Sequence, residues 1–197
     1  MPKKNVNKNA NDPRAARSVR DIRNALLSLI AEKPFRQIQA EEIIERATVN
    51  FKTFYRYYSS KADVLDDIRE TVLAGLSEGL KSVPEKDLRG GVMLFYHWIN
   101  TTDPSYKKLC NDEEYVDFFT KLKDDFFSLD FFRGFCGDPA YADMIPGYIG
   151  DAAVGMYRHW QARPDDDPKK PSLDELATQV EEILMGGLKA INEENDE

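Results

Sequence analysis

The sequence predicts an all-α protein. Apolar residues recur at spacings of three and four along most of the chain, the period of a helix with one buried face. No run alternates polar and apolar as a half-buried strand does, and no Asn-Gly pair marks a hairpin. Asn, Ser and Pro stand at the edges of the apolar stripes, where helices start and stop.

Residues 1–13 are polar and rich in Asn and Lys. Such a composition buries too little apolar surface to order itself, so a disordered tail is expected. The first helix should run from about Arg14 to Glu32 on the stripe Val19, Ile22, Leu26 and Leu29 or Ile30, with Lys33-Pro34 stopping it. Phe35 and Ile38 anchor the connection to a second short helix, which begins near Gln39 or Ala40 and buries Ile43, Ile44 and Ala47. Asn50 caps a third helix reaching Tyr58. The fourth starts at Ser60, with Asp63 at its third position, and carries Val64, Leu65, Ile68, Val72, Leu76 and Leu80 before Val83-Pro84 ends it.

Further on, a helix is expected from about Leu88 to Thr101, ended by Asp103-Pro104. A Phe-rich segment fills Asp112 to Phe132, and Gly134 to Pro139 reads as loop. A long helix follows, from Tyr141 or Pro146 to Ala162, then a polar loop from Pro164 to Pro171. Ser172 caps the last helix in a capping box with Glu175; its stripe is Leu173, Leu176, Val180, Ile183 or Leu184, and Leu188.

The second and third helices are short and separated by a tight turn, and the third is basic and aromatic with no acidic residue. That arrangement is the mark of a helix-turn-helix reading the major groove of DNA. Charge agrees once it is divided. The chain has a net charge of -8, but residues 1–61 hold 13 Lys and Arg against 6 Asp and Glu, +7, leaving 14 against 29, -15, for the rest. A basic end on an acidic body points to a local phosphate-binding face, not to general polyanion binding.

The run Thr53-Phe54-Tyr55-Arg56-Tyr57-Tyr58-Ser59-Ser60-Lys61 resembles the end of the DNA-binding region in the TetR family of bacterial transcriptional regulators. The resemblance implies a three-helix DNA-binding domain over residues 14–60 and a helical effector-binding and dimerisation domain over 61–197. It implies that Phe51 and Lys52 point into the groove, that Thr53, Tyr55 and Tyr57 contact bases or backbone, and that Lys61 holds a phosphate, with Arg56 adding a charge. Helical periodicity alone places Phe54 and Tyr58 in the core and leaves Phe51 open between burial and contact with a thymine methyl. Two positions depart from the family. Gln39 and Ala40 stand where Thr is common, and Thr48 where the inter-helix turn usually has Gly. A β-branched residue tolerates positive φ poorly, so either this turn differs or it bears about 1 kcal/mol of strain.

The run from Tyr148 to Trp160, with the loop and helix after it, is similar to the last two helices of short TetR-type regulators. The resemblance implies that they pair with a second subunit. Gly147, Gly150 and Gly155 permit close helix approach, and a palindromic operator demands a two-fold dimer. The middle of the chain is rich in aromatics, and the resemblance implies an effector pocket there. Tyr96, Trp98, Tyr115, Phe118, Phe119, Phe127, Tyr148 and Met156 are the candidate lining, and acids such as Glu113, Glu114 or Asp117 favour a cationic ligand.

Other classes fit poorly. There is no Gly-rich phosphate loop, no His-x-x-x-His zinc pair and no nucleophile elbow, so neither an enzyme nor a cofactor is expected. No apolar run reaches the roughly 18 residues of a membrane helix, and the polar N-terminus lacks the apolar stretch of a signal peptide. Cys110 and Cys136 have no metal-type spacing and read as reduced thiols of a cytoplasmic protein. The expected function is a ligand-responsive repressor that binds double-stranded operator DNA as a homodimer. The alternative is a TetR-like co-activator acting through a partner protein.

Overall fold

A computed structural model describes residues 12–101 and 103–194. The expected tail falls mostly outside them. The described residues form ten α-helices and contain no strand. In chain order these are α1 (Pro13–Glu32), α2 (Ala40–Arg46), α3 (Phe51–Tyr57), α4 (Lys61–Leu80), α5 (Leu88–Thr101), α6 (Pro104–Asn111), α7 (Val116–Phe127), α8 (Asp130–Arg133), α9 (Met144–Gln161) and α10 (Leu173–Glu194). Short 3-10 turns stand at Phe35–Gln37, Glu113–Tyr115 and Pro139–Tyr141. The fold is the all-α one that the sequence predicts.

The helices divide into two compact units. The first comprises residues 12–72 with 103–119. It therefore adds to α1, α2, α3 and the first part of α4 a segment, α6 and the turn after it, that lies far along the chain. Its core is aliphatic around α1, with Ile22, Leu26 and Ile30 fully enclosed, and includes Ile38, Ile43, Phe54, Val64 and Ile68. Truncating any such side chain to Ala removes its transfer free energy and leaves a cavity, about 2–5 kcal/mol for Leu or Ile. Lys33 ends α1 in extended backbone, ahead of Pro34, as the residue before proline must.

The second unit comprises residues 73–101 with 120–194. Its core is aromatic. Phe95 lies 5.1 Å from Phe126 and 5.3 Å from Phe127, and Phe132 sits 5.1 Å and 4.7 Å from the same two rings. α9 is seated against this cluster by a glycine. A Cβ on Gly150 would come within 2.9 Å of the Phe127 ring, whereas Gly147 and Gly155 face open space. So Gly150 serves packing within the unit, and only the other two remain on an open face. Among the described residues no helix is long and apolar enough to cross a membrane.

Candidate nucleic-acid interface

The turn between α2 and α3 sets the aim of the third helix. α2 closes with Thr48 N–H donating to Glu45 O (3.0 Å) and Val49 N–H to Ile44 O (3.2 Å). This is the paired closure that needs a left-handed residue between. Thr48 takes it, at φ 53°. The turn is therefore one that suits glycine, made with a strained residue. Asn50 then starts α3, its Oδ1 accepting from Thr53 N–H at 2.7 Å.

α3 has two faces. Phe54 and Tyr57 are buried, with Tyr58 just beyond the helix end. Phe51, Lys52, Tyr55 and Arg56 are exposed, and Thr53 is half-buried. Phe51 is 61% exposed although it lies on the apolar stripe. A helical side chain leans toward the N-terminus of its helix, so at the first position it projects past the start of α3 instead of down onto α1. Its ring lies 4.4 Å from that of Tyr55. Lys52 has no hydrogen-bond or ion-pair partner among the described residues. Arg56 donates from Nη2 to the Tyr57 hydroxyl (2.8 Å) and lies 4.7 Å from the centre of that ring. Tyr57, only 5% exposed, is packing beneath Arg56. Tyr57, expected at the DNA, lies on the packed side of α3, because burying the Phe54 face of so short a helix buries Tyr57 with it.

Lys61, expected at a phosphate, meets the backbone of its own unit. Its ammonium donates to the carbonyls of Phe35 (2.7 Å), Arg36 (3.3 Å) and Ile38 (2.6 Å), and sits 4.7 Å from the centre of the Phe35 ring. Three protons meet three carbonyls. The charge closes the turn between α1 and α2 and is not held out for a phosphate.

Glu114 grips the same turn from its other end, accepting from the N–H of Phe35 (2.8 Å) and of Arg36 (3.0 Å). The Tyr115 ring stands edge-on to Phe35 at 6.1 Å, and Lys108 donates to Ile30 O at the end of α1 (2.8 Å). Glu114 is thus a capping group of the first unit, not a cation ligand. Sequence reading had no route to this pairing, since partners 78 and 79 residues apart leave no local signal.

Behind α3, the Tyr58 hydroxyl donates to Asp67 at 2.6 Å, and Arg23 Nε lies 3.7 Å from the same carboxylate. Asp67 is one of two buried polar residues among those described. Burial and this hydrogen bond push the Tyr58 phenol well above its ordinary value, so it stays a proton donor. Carboxylate, phenol and guanidinium together tie the end of α3 to α4 and α1.

The expected effector residues are divided between the two units. Tyr115, Phe118 and Phe119 are buried in the first unit. In the second, Tyr96 is enclosed and its hydroxyl donates to Ala153 O (2.7 Å), Phe127 is part of the phenylalanine cluster, and Trp98 is half-buried 6.2 Å from Phe95. Tyr148 is 61% exposed on the surface. Met156 lines a cleft of about 360 Å³ between α9 and α10, together with Trp160, Pro171 and Leu176. Packing claims most of these aromatics because each has a large apolar area to bury.

Comparison with known proteins places this geometry. Residues 22–68, which run from α1 into α4, match the family described as bacterial regulatory proteins, tetR family. A 59-residue stretch, 30% of the chain, is 32% identical to the uncharacterized HTH-type transcriptional regulator YxbF of Bacillus subtilis (strain 168); the match spans 16% of that protein's length. The fold is similar to that of a TetR transcriptional regulator from Streptococcus agalactiae 2603V. The TM-score is 0.63 at 18% identity, over 89% of this chain and 97% of that one. Residues 22–68 thus carry the sequence signature of the tetR family of bacterial regulatory proteins, on a fold similar to that of a TetR transcriptional regulator.

Proposed function

We propose that the protein is a cytoplasmic repressor that binds a palindromic DNA operator as a homodimer and is released by a small molecule. The observation that carries the reading is the exposed face of α3, with its two cations and two aromatics and no acid. Lys52 and Arg56 supply phosphate or guanine contacts, Phe51 and Tyr55 apolar contact with base edges, and Thr53 a hydroxyl.

Dimerisation is supported by an open band on the second unit. Met144 and Tyr148 of α9 and Ile183 of α10 are exposed, and Gly147, Gly155 and Gly186 have nothing within 4 Å of a Cβ position. Two such bands, related by a two-fold axis, would bury each other and set the α3 helices about 34 Å apart, one DNA turn. For release, α4 begins in the first unit and ends in the second. A ligand that displaces its C-terminal half acts on its N-terminal half, and typical coupling of about 1–3 kcal/mol weakens operator binding roughly 5–150-fold.

The test is an anisotropy titration against the DNA upstream of the protein's own gene, at two salt concentrations. Salt-sensitive binding of two chains per duplex supports the reading. Absence of binding to any duplex overturns it.

A further inference from the structure

We propose that Phe51, backed by Tyr55, determines operator specificity by packing on the C5-methyl group of thymine. This rests on the reading of α3 as the recognition helix. The exposed face of α3 comprises four side chains, Phe51, Lys52, Tyr55 and Arg56. Reading adenine from the major groove takes the paired donor and acceptor of Asn or Gln, and the face has neither. Asn50, next to it, spends its Oδ1 on the Thr53 N–H. Arg56 is turned onto Tyr57. Both cations, with Lys52 exposed and unpaired among the described residues, suit guanine acceptors or phosphate and not adenine.

The apolar feature of the major groove is the thymine methyl. Phe51 matches it. The ring is 61% exposed and held in place by the Tyr55 ring at 4.4 Å, so little rotamer freedom is lost on contact. The lysine beside it and the +7 charge of residues 1–61 bring the ring to a polyanion, an occupant that an apolar protein surface does not match. Thymine and cytosine then differ at this position by one methyl group, present or absent.

The experiment separates the methyl from all else. The preferred operator is selected from a random-sequence duplex pool, and each thymine in it is replaced singly by uracil, which keeps every hydrogen bond and removes the methyl. Wild-type protein should lose about fourfold in affinity per half-site at one or two thymine positions, the loss expected for one buried methyl. Replacing a cytosine by 5-methylcytosine elsewhere should not restore it. Phe51→Ala should bind the thymine operator as weakly as wild type binds the uracil one, and show no further loss with uracil. Phe51→Leu should keep most of the methyl sensitivity. Binding by wild type that is equal for thymine and uracil at every position overturns this inference alone. A protein that binds no duplex overturns the parent reading and this one with it.

Discussion

Thr48 occupies, at φ 53°, a position whose geometry suits glycine. The left-handed conformation costs a branched L-residue about 1 kcal/mol or more. Thr48→Gly should therefore stabilise the protein by about 0.5 kcal/mol, after glycine's greater unfolded-state entropy is deducted, and raise the melting temperature by roughly 1–2 °C for a chain of this size. A lower melting temperature for the variant would show that the turn is not strained. Lys61 gives a second contrast. Lys61→Met keeps the stem and removes three donors from three backbone carbonyls. It should destabilise the protein by about 1–2 kcal/mol in a denaturant titration, while the salt slope of DNA binding by the folded protein stays unchanged. A slope reduced by about one unit would return the residue to the phosphate role that its sequence position suggests. Cys110 is buried, and desolvation pushes its thiol up to about 12, so it should resist thiol reagents at neutral pH until the protein unfolds.

At the scale of the element, carboxylates cap several helix starts. Glu42 accepts from Gln39 N–H (2.8 Å) at α2, Asp103 from Ser105 N–H (2.8 Å) at α6, and Glu175 from Ser172 N–H (2.8 Å) at α10. Hydrogen bonds hold all three below their ordinary values, chiefly the one from the Lys33 side chain for Glu42 and those from the Ser105 and Ser172 backbones for the others. A carboxyl depressed in the folded state favours folding above its unfolded value, here 4.5 for glutamate and 3.8 for aspartate. That contribution fades as pH falls through the folded value. Melting temperature should hold between pH 7 and 5.5 and drop below about pH 4.5. A flat profile down to pH 3 would remove the caps from the account.

The same elements show what local signals convey. Asp103-Pro104 reads as the stop of the helix before it. It is also the N-cap and first residue of α6, which the stripe analysis passed over. Eight residues with few apolar positions give no clear period, so only the cap announced that helix. The starts of α3, α4 and α10 were legible because Asn50, Asp63 and Ser172 act within three or four residues of themselves.

At the scale of the molecule, the charge division and the open band on α9 and α10 make separate claims. Ile183 is 58% exposed, so Ile183→Glu should leave the protomer folded and place a charge in the proposed dimer interface, where burial without a partner is costly. Sedimentation at tens of micromolar should give twice the chain mass for wild type and the single mass for the variant, with operator affinity falling in parallel. A wild-type protein of single-chain mass would refute the two-fold arrangement. The acidic remainder of the chain, -15 beyond residue 61, should keep non-specific DNA binding confined to the surface formed by the basic N-terminal part. Binding should weaken steeply with salt as the entropy gained by releasing condensed counterions shrinks.

By itself the sequence determined the all-α class, the helix-turn-helix with its capped third helix, the burial of Phe54 and Tyr58, and the sign of charge at each end. Each of these follows from residues a few positions apart or from composition, which act before the chain folds back on itself. Tertiary structure alone decided which aromatics are surface and which are core, placing Phe51 outside and Tyr57 inside on one short helix. It gave Lys61 to backbone carbonyls and brought Glu114 to the turn after α1. It also scattered the expected effector residues between two cores. Those outcomes depend on what stands opposite a side chain, and the partners are up to 79 residues away. Burial and a charge's choice of partner are properties of the packed surroundings, and no periodicity along the chain encodes them.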